Sequence, residues 1–289
     1  MIDIDHLKTW IGRTEEAADV ATASPVERLA ALLDHEAPPW PPNALPPLAH
    51  WLYFLPNARQ SEIGEDGHPK RGGFLPPVPL PRRMWAGSRL EFRTPIAIGA
   101  PMTKRSTVQS TEAKSGASGE MVFVVVRHEI ALENAPAIVE EQDLVYREAP
   151  KPNASQTGKA ALHEGRTSEW TRTVTPDPVQ LFRYSALTFN GHRIHYDRDY
   201  ARDIEGYPGL VVHGPYTASL LVDHFLRHRR GAAIAKIAFR AVRPLFDTAP
   251  FELCGSLTDT GADLWAQSAS GETAMTMSVA LSETHPNKS

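Results

Sequence analysis

The chain has 289 residues, with 30 Lys and Arg, 34 Asp and Glu, and a formal charge of −4 at pH 7. This length suits one large domain or two domains of about 100–150 residues. Hydrophobic residues at 42% and charged residues at 22% are ordinary globular values, which argue against general disorder. Because the chain has no basic excess, nucleic acid is not expected as a partner.

Cysteine and proline usage narrows the class further. The single cysteine, Cys254, excludes an intramolecular disulfide and a metal site made of cysteines alone. The acidic start resembles no signal peptide, and no apolar run approaches the length of a membrane span, so we expect a cytoplasmic protein without membrane contact. The chain holds 25 prolines, six of them between Pro38 and Pro47. Since proline fixes φ and lacks an N–H, this stretch predicts an ordered surface connection.

The first half begins with two predicted helices and continues with strands. Residues 6–12 carry apolar side chains at helical spacing, and Ser24-Pro25-Val26-Glu27 has the pattern of a capping box that opens the second helix. A polar linker is predicted at 151–158. Strands are predicted from their β-branched and alternating patterns at 90–98, 104–113, 121–130 and 139–146.

The second half repeats the mixture of helix and strand. A short helix is predicted at 178–187, and a stronger helix at 215–228 has apolar residues spaced i, i+3, i+4 and i+7. Strands are predicted at 166–174, 236–242, 251–258, 264–267 and 273–281.

A short repeat indicates an internal duplication. The tetrapeptide Ala-Ser-Gly-Glu occurs at 117–120 and at 269–272, each time before a strand and after a Phe-Arg pair, Phe92-Arg93 or Phe239-Arg240. We therefore expect two related α+β units, each a helix wrapped by a mainly antiparallel sheet, because successive strands are joined by short turns.

Reactive side chains are densest between Tyr184 and Asp197, and three interpretations apply to them. His192-x-x-His195 could chelate a metal, although a zinc site needs further ligands at fixed spacing. The same residues could be hydrogen-bonded loop residues that tie the halves together. They could also serve acid–base catalysis, because histidine titrates near neutral pH.

The catalytic interpretation uses three residues together. His195 could move protons, and Asn190, five residues earlier, could orient a water or a substrate. Gly214 opens the strong helix, so its N–H and the helix dipole would face a developing oxyanion. A base, a polar orienter and an oxyanion donor suit proton abstraction beside a carbonyl or water addition to a conjugated one.

The segment from Thr188 to Asp197, followed by Val211-Val212-His213-Gly214, resembles the MaoC-like hydratases. Within that family it looks most like the type 2 hydroxyacyl-thioester dehydratases, a branch that includes mesaconyl-C4-CoA and itaconyl-CoA hydratases. The resemblance implies an α+β double hot-dog fold and a hydro-lyase that adds water reversibly to a 2-enoyl-CoA thioester. It further implies a non-catalytic unit at 1–150 and a catalytic unit at 159–289.

The resemblance also assigns roles to residues. His195 matches the catalytic base, Asn190 the position of the catalytic Asp, and Gly214 the glycine whose N–H polarises the thioester carbonyl. Arg193, His213 and Tyr184 are expected to bind substrate. An acyl-CoA is the expected partner, without a metal or another cofactor, and a homodimer is possible. The candidate arginines for the CoA mouth are Arg71, Arg82, Arg83, Arg93, Arg193 and Arg243.

Asparagine at position 190 departs from the family pattern, because an amide cannot exchange a proton as a carboxylic acid does. Either Asn190 only holds the water and His195 moves the protons, or Asp197 supplies the missing carboxylate. Two other functions stay open on the same fold: a non-catalytic acyl-CoA-binding protein and a thioesterase.

Overall fold

The computed structural model describes residues 2–116, 119–133, 135–148 and 167–282. The predicted linker at 151–158 and two residues of the first Ala-Ser-Gly-Glu segment lie outside these ranges. In the first half the described strands are β1 (Thr14–Val20), β2 (Arg82–Phe92), β3 (Pro101–Gly116), β4 (Gly119–Leu132) and β5 (Ala135–Arg147). In the second half they are β6 (Trp170–Val174), β7 (Ile234–Ala241), β8 (Phe251–Thr258), β9 (Gly261–Ser268) and β10 (Thr273–Leu281).

All of these strands form one sheet, in the order β1-β3-β4-β5-β2-β7-β10-β9-β8-β6. The two halves of this order are equivalent, and β2 pairs with β7 in antiparallel fashion at the centre. The register pairs Arg89 with Ala238, flanked by Gly87 with Arg240 and Glu91 with Lys236. An approximate two-fold axis therefore passes between Arg89 and Ala238. This is the double hot-dog arrangement that the resemblance implies.

Turns after the central strands show how the halves correspond. The N–H of Arg93 donates to the carbonyl of Ala137, and that of Val242 donates to the carbonyl of Ala274. Residue 93 is therefore equivalent to residue 242, and the Phe-Arg pair at 239–240 is two residues out of register with the pair at 92–93. The duplication is visible in the sheet, although the Phe-Arg match does not mark equivalent positions.

The described residues also form α-helices that pack on this sheet. The described α-helices are α1 (Ile4–Lys8), α2 (Ala23–Leu32), α3 (Pro178–Thr188) and α4 (Gly214–His228). Helix α4 is buried along most of its length and packs against β8, β9 and β10. Its Leu221 and Phe225 are fully buried, as the predicted apolar stripe requires.

The first half lacks a counterpart of α4 among its described residues, although α2 still gives this unit the helix that the sequence predicts. Leu45 donates to the Ile96 carbonyl as Val212 donates to the Leu245 carbonyl. Beyond Val212 the chain enters α4, whereas beyond Leu45 it forms only a 3-10 turn at Ala49–Leu52. Two prolines at 46 and 47 and a left-handed residue at 48 break the backbone there, and a helix interior tolerates neither.

A buried polar network holds this 3-10 turn against the sheet. Glu140 is 2% exposed and accepts hydrogen bonds from His50 at 2.9 Å, Trp51 at 3.0 Å and Ser88 at 2.7 Å. Burial alone would raise the pKa of Glu140, but the hydrogen bond and charge of His50 lower it to about 2. The carboxylate thus stays ionised and fully bonded, as a buried charge must be.

The first or last residues of two elements differ from those that the sequence predicts. Helix α2 begins at Ala23 behind Thr22, whose side chain makes no capping hydrogen bond, so the predicted capping box at Ser24 is wrong. Ser24 already lies inside the helix and is therefore not available as the cap. Strand β2 ends at Phe92 rather than near residue 98, because Pro95 cannot donate to a ladder.

Strand β1 has no counterpart in the sequence-based expectation. Its residues are mostly exposed and polar, and it pairs only with β3 at the edge of the sheet. An edge strand with both faces in water carries no apolar alternation, so the pattern that reveals other strands is absent.

Among the described residues, no helix has the length and apolar character needed to cross a bilayer.

Gly87 lies at the junction of the two halves and offers a test of it. A Cβ at this position would lie 2.3 Å from the Phe239 carbonyl oxygen on β7. We expect Gly87→Ala to lower the free energy of unfolding by about 1–3 kcal/mol, because the strands cannot separate without losing ladder hydrogen bonds. Urea unfolding measures this change.

Gly73→Ala is the matched control, because no atom lies within 4 Å of a Cβ there. Equal stability of the two variants would contradict the close junction.

Candidate active site

His195 is the buried histidine around which the candidate site is arranged. It ends a 3-10 turn at Arg193–His195, and the residue as a whole is 7% exposed. Its Nδ1 lies 2.7 Å from the carbonyl oxygen of Val211. A carbonyl only accepts, so Nδ1 carries the proton and Nε2 of the neutral ring keeps a lone pair. Burial lowers the pKa of His195 to about 4, which keeps it neutral at physiological pH.

The ring of His213 stacks on the ring of His195 and supports it. The two ring centroids are 3.6 Å apart, with planes inclined by 18°. His213 is fully buried, and its Nε2 lies 2.8 Å from the hydroxyl oxygen of Ser185. Burial lowers the pKa of His213 well below its usual value, and the charge of His195 would lower it further. The stacked pair therefore disfavours a second proton, and so a positive charge, on either ring.

The N-terminus of α4 lies directly after this stacked pair. His213 is the N-cap residue and Gly214 is the first helical residue. The first N–H groups of a helix have no intrahelical acceptor, and Pro215 at the next position has no N–H at all. The nearest atom to a Cβ at Gly214 would be the Trp85 carbonyl oxygen at 4.0 Å, so the backbone here is open to an approaching group.

Asn190 forms a tight turn at the end of α3. The helix closes with Phe189 in the left-handed region, after which the N–H of Asn190 donates to the Ser185 carbonyl. The side-chain Oδ1 of Asn190 accepts a 3.0 Å hydrogen bond from the N–H of His192. This Asx turn fixes the side chain and leaves its amide nitrogen able to donate.

The first half supplies a second turn of the same form. The Oδ1 of Asp66 accepts a 3.0 Å hydrogen bond from the N–H of His68, so Asp66-Gly67-His68 repeats the Asx hydrogen bond of Asn190-Gly191-His192. We call these two segments the Asx-Gly-His turns.

The two Asx-Gly-His turns press against each other through their glycines. A Cβ built on Gly67 would lie 1.8 Å from the carbonyl oxygen of Gly191, so only glycine fits. The N–H of Arg193 donates to the Asp66 carbonyl at 2.9 Å. The imidazole rings of His68 and His192 lie 4.1 Å apart between their centroids. The first half is therefore part of the wall of this site.

The side chains of Asp66, His68 and His192 form one partly buried cluster. His68 Nδ1 lies 3.2 Å from Asp66 Oδ2, and His192 meets His195 edge-on at 5.4 Å between ring centroids. Burial and the neighbouring His68 lower the pKa of His192 to about 2. The ligand atoms of the cluster lie within 4.8 Å of one another, a spacing that could hold a divalent cation. The predicted His192-x-x-His195 pair is not part of that group.

Other residues singled out in the sequence have different surroundings. Arg193 donates to Asp197 at 2.7 and 3.0 Å, donates to the Glu65 carbonyl and lies over the ring of Tyr200, so it braces the turn. Asp197 is occupied by this pair and by the N–H of Tyr200, which makes it a poor partner for His195. Tyr184 is 1% exposed and packs on His213.

Sequence reasoning missed the contribution of Asp66 and His68. The sequence does contain a signal: the tripeptide Asp-Gly-His at 66–68 is repeated as Asn-Gly-His at 190–192. A search for repeats of three residues with one allowed substitution would have paired them. Their separation by more than a hundred residues hides the contact itself.

Comparisons with known proteins agree with this fold. The family model for hydroxyacyl-thioester dehydratase type 2 matches residues 48–247. The chain is 47% identical to mesaconyl-C(4)-CoA hydratase of Chloroflexus aurantiacus, over 94% of this chain and 96% of that protein. It is 25% identical to the mitochondrial hydroxyacyl-thioester dehydratase type 2 of Schizosaccharomyces pombe, over 86% of this chain and 90% of that protein.

Solved structures show the same fold at low identity. A MaoC-like dehydratase from Phytophthora capsici matches with a TM-score of 0.71 at 12% identity, covering 98% of both chains. A Mycobacterium tuberculosis protein described as having a double hotdog fold matches with a TM-score of 0.56 at 13% identity, over 94% of this chain and 96% of that chain. The predicted double hot-dog fold is thereby confirmed.

The buried neutral histidine predicts how stability depends on pH. An unfolded His195 takes up a proton below about pH 6.5, whereas the folded one does so only near pH 4. Between these values the unfolded state binds more protons, so stability falls as the pH falls. We expect His195→Gln to make this slope shallower by about 1.4 kcal/mol per pH unit.

Urea unfolding of both proteins at a series of pH values measures the two slopes. The same slope in the variant and the wild type would contradict a buried neutral His195.

Proposed function

Because the chain belongs to the hydroxyacyl-thioester dehydratase type 2 family, we propose how its residues perform the reversible hydration of a 2-enoyl-CoA thioester. The enzyme is a hydro-lyase. We further propose a branched or dicarboxylic acyl group such as mesaconyl-C4-CoA as its substrate, which the 47% identity to a mesaconyl-C(4)-CoA hydratase supports. The catalytic group is His195, Asn190 and Gly214.

Hydration begins with a water molecule held between His195 and Asn190. The lone pair on Nε2 of His195 accepts a proton from the water while the water oxygen bonds to C3 of the enoyl group. The side-chain amide of Asn190 donates to the same oxygen and orients it. Asn190 holds no transferable proton of its own, so a single histidine moves the proton in both directions.

Charge then develops on the thioester oxygen as the C2–C3 double bond opens. The N–H of Gly214 and the positive end of the α4 dipole stabilise this enolate oxygen. The proton on His195 passes to C2, which restores the neutral imidazole and the carbonyl. Both new bonds come from one histidine–water pair, so the addition is syn.

The observation that carries this assignment is the tautomer of His195. Its Nδ1 proton is fixed by the Val211 carbonyl, and burial lowers its pKa to about 4. An imidazolium in this pocket is unstable, so it returns its proton readily to the carbanion carbon. A residue that only stabilised the loop would have no need of a free Nε2.

The first half supplies room and a wall rather than a second base. Where the second half has α4, the first half has the 3-10 turn at Ala49–Leu52, and the acyl chain is proposed to lie beside this turn. We keep 1–150 and 159–289 as the two proposed units, with catalysis in the second. An acyl-CoA partner, a cytoplasmic location and a possible homodimer stay predictions.

Two rival functions use the same pocket. A non-catalytic acyl-CoA-binding protein is favoured by Asn190 in place of an aspartate. A thioesterase would direct the water to the thioester carbon instead of C3. The first predicts tight binding without turnover, and the second predicts release of free CoA thiol.

Replacing His195 with Gln tests the proposed base. We expect kcat for hydration of crotonyl-CoA to fall by about 10²–10⁴-fold, because general base catalysis is lost. The decrease in absorbance of the enoyl-thioester band measures the rate, and a thiol reagent tests for hydrolysis in the same assay.

His6→Gln is the matched control, since His6 is exposed on α1, whose main contacts are with β3. Full hydratase activity in His195→Gln would contradict the assignment, and thiol release without hydration would favour the thioesterase.

A further inference from the structure

A small basic cavity lies beside the Asx-Gly-His turn of the first half. Its volume is about 130 Å³, and its walls include Gly64, Asp66, His68, Lys70, Arg71 and Arg83. His68 is shared between this cavity and the candidate active site, because its ring packs on His192. The imidazole rings of His68 and His192 therefore lie between this cavity and His195.

Arg83 differs from the other arginines considered for substrate binding. Among the described residues, no carboxylate lies within ion-pair distance of its guanidinium, although it lines this cavity from β2. The other candidates are already occupied: Arg71 by the Val78 and Pro81 carbonyls, Arg82 by Glu205, Arg93 by Glu91, Arg193 by Asp197 and Arg243 by Glu272.

The charge of the cavity favours an anion. Lys70, Arg71 and Arg83 bring three cations against the single carboxylate of Asp66, which is itself engaged by the N–H and the ring of His68. Burial is the largest cause that lowers the pKa of His68 and of His192, and the positive charge of Arg83 lowers both pKa values further. The guanidinium is therefore near enough to both rings to act on their charge. An arginine keeps its charge at any physiological pH and can grip a carboxylate with two parallel hydrogen bonds.

We propose that this cavity, with Arg83 as its anion ligand, binds the free carboxylate of a dicarboxylic 2-enoyl-CoA. The proposal rests on the hydratase function proposed above. In a substrate of this kind the carboxylate carbon is bonded to C3, the carbon that the water attacks. A carboxylate held at the edge of the His68–His192 ring contact would direct C3 toward His195, and Asp66 acts as the positioning residue that orients the His68 ring.

The anion could instead be a phosphate of CoA, and matched substrates separate the two sources. Fumaryl-CoA and crotonyl-CoA differ only in a carboxylate against a methyl group on C3. Succinyl-CoA and butyryl-CoA are the corresponding saturated thioesters, which cannot be hydrated and report binding alone. All four carry the same phosphates.

Arg83→Gln is the decisive variant. We expect it to lower kcat/KM for fumaryl-CoA by about 10²–10³-fold, and to change kcat/KM for crotonyl-CoA by less than about threefold. The inhibition constant of succinyl-CoA should rise by a factor similar to the loss in kcat/KM for fumaryl-CoA, while the inhibition constant of butyryl-CoA stays the same. Arg83→Lys should restore part of the preference, because it keeps the charge without the fork.

Arg127→Gln is the matched control, because Arg127 is a half-buried arginine of the same sheet that pairs with Glu129 away from the cavity. Equal affinity of the wild type for succinyl-CoA and butyryl-CoA would overturn the proposal. Equal losses for all four thioesters in Arg83→Gln would also overturn it, and would assign the cavity to a CoA phosphate.

These outcomes are separable from failure of the hydratase function. If the wild type binds succinyl-CoA more tightly than butyryl-CoA through Arg83 but hydrates neither enoyl thioester, the carboxylate site stands and the proposed function falls. If it hydrates crotonyl-CoA but shows no preference for a carboxylate, the function stands and the site falls.

Discussion

The site depends on a contact between two backbones, that of Gly67 from the first half and that of Gly191 from the second. A side chain at Gly67 would overlap the Gly191 carbonyl, so the two Asx-Gly-His turns meet only because both lack a Cβ. The contact brings His68 onto His192 and the Asp66 carbonyl onto the N–H of Arg193. The 190–197 segment that carries His195 is thereby held from both sides.

The fold explains how two distant segments reach this contact. Pairing of β2 with β7 makes one sheet of both halves and fixes their relative position. The second half keeps its long buried helix α4, which places Gly214 and His213 behind His195. In the first half a 3-10 turn stands in place of that helix, and the hydrogen bond between His50 and Glu140 holds the turn against the sheet. The loop that carries Asp66 follows this turn in the chain.

The sequence predicts those elements of the fold whose structure is decided by a local pattern of residues. Strands β8 and β10 and helix α4 follow from apolar periodicity, and the family resemblance marks His195 and Gly214. Strand β1 escaped because an exposed edge strand carries no apolar alternation. The absence of an α4 counterpart among the described residues of the first half was not predicted, because capping and proline signals do not show which tertiary position a segment fills. His68 escaped because its role exists only through a contact across the two halves.

The most direct test of this account is the activity of Gly67→Ala compared with Gly72→Ala. Both glycines have φ near +90°, so alanine brings similar backbone strain at either site, but only at Gly67 does its Cβ overlap Gly191. The account predicts that Gly67→Ala lowers kcat/KM for crotonyl-CoA by about 10²-fold through displacement of the His195 segment, while Gly72→Ala stays within about threefold of the wild type. Equal activity of the two variants at equal thermal stability would contradict it.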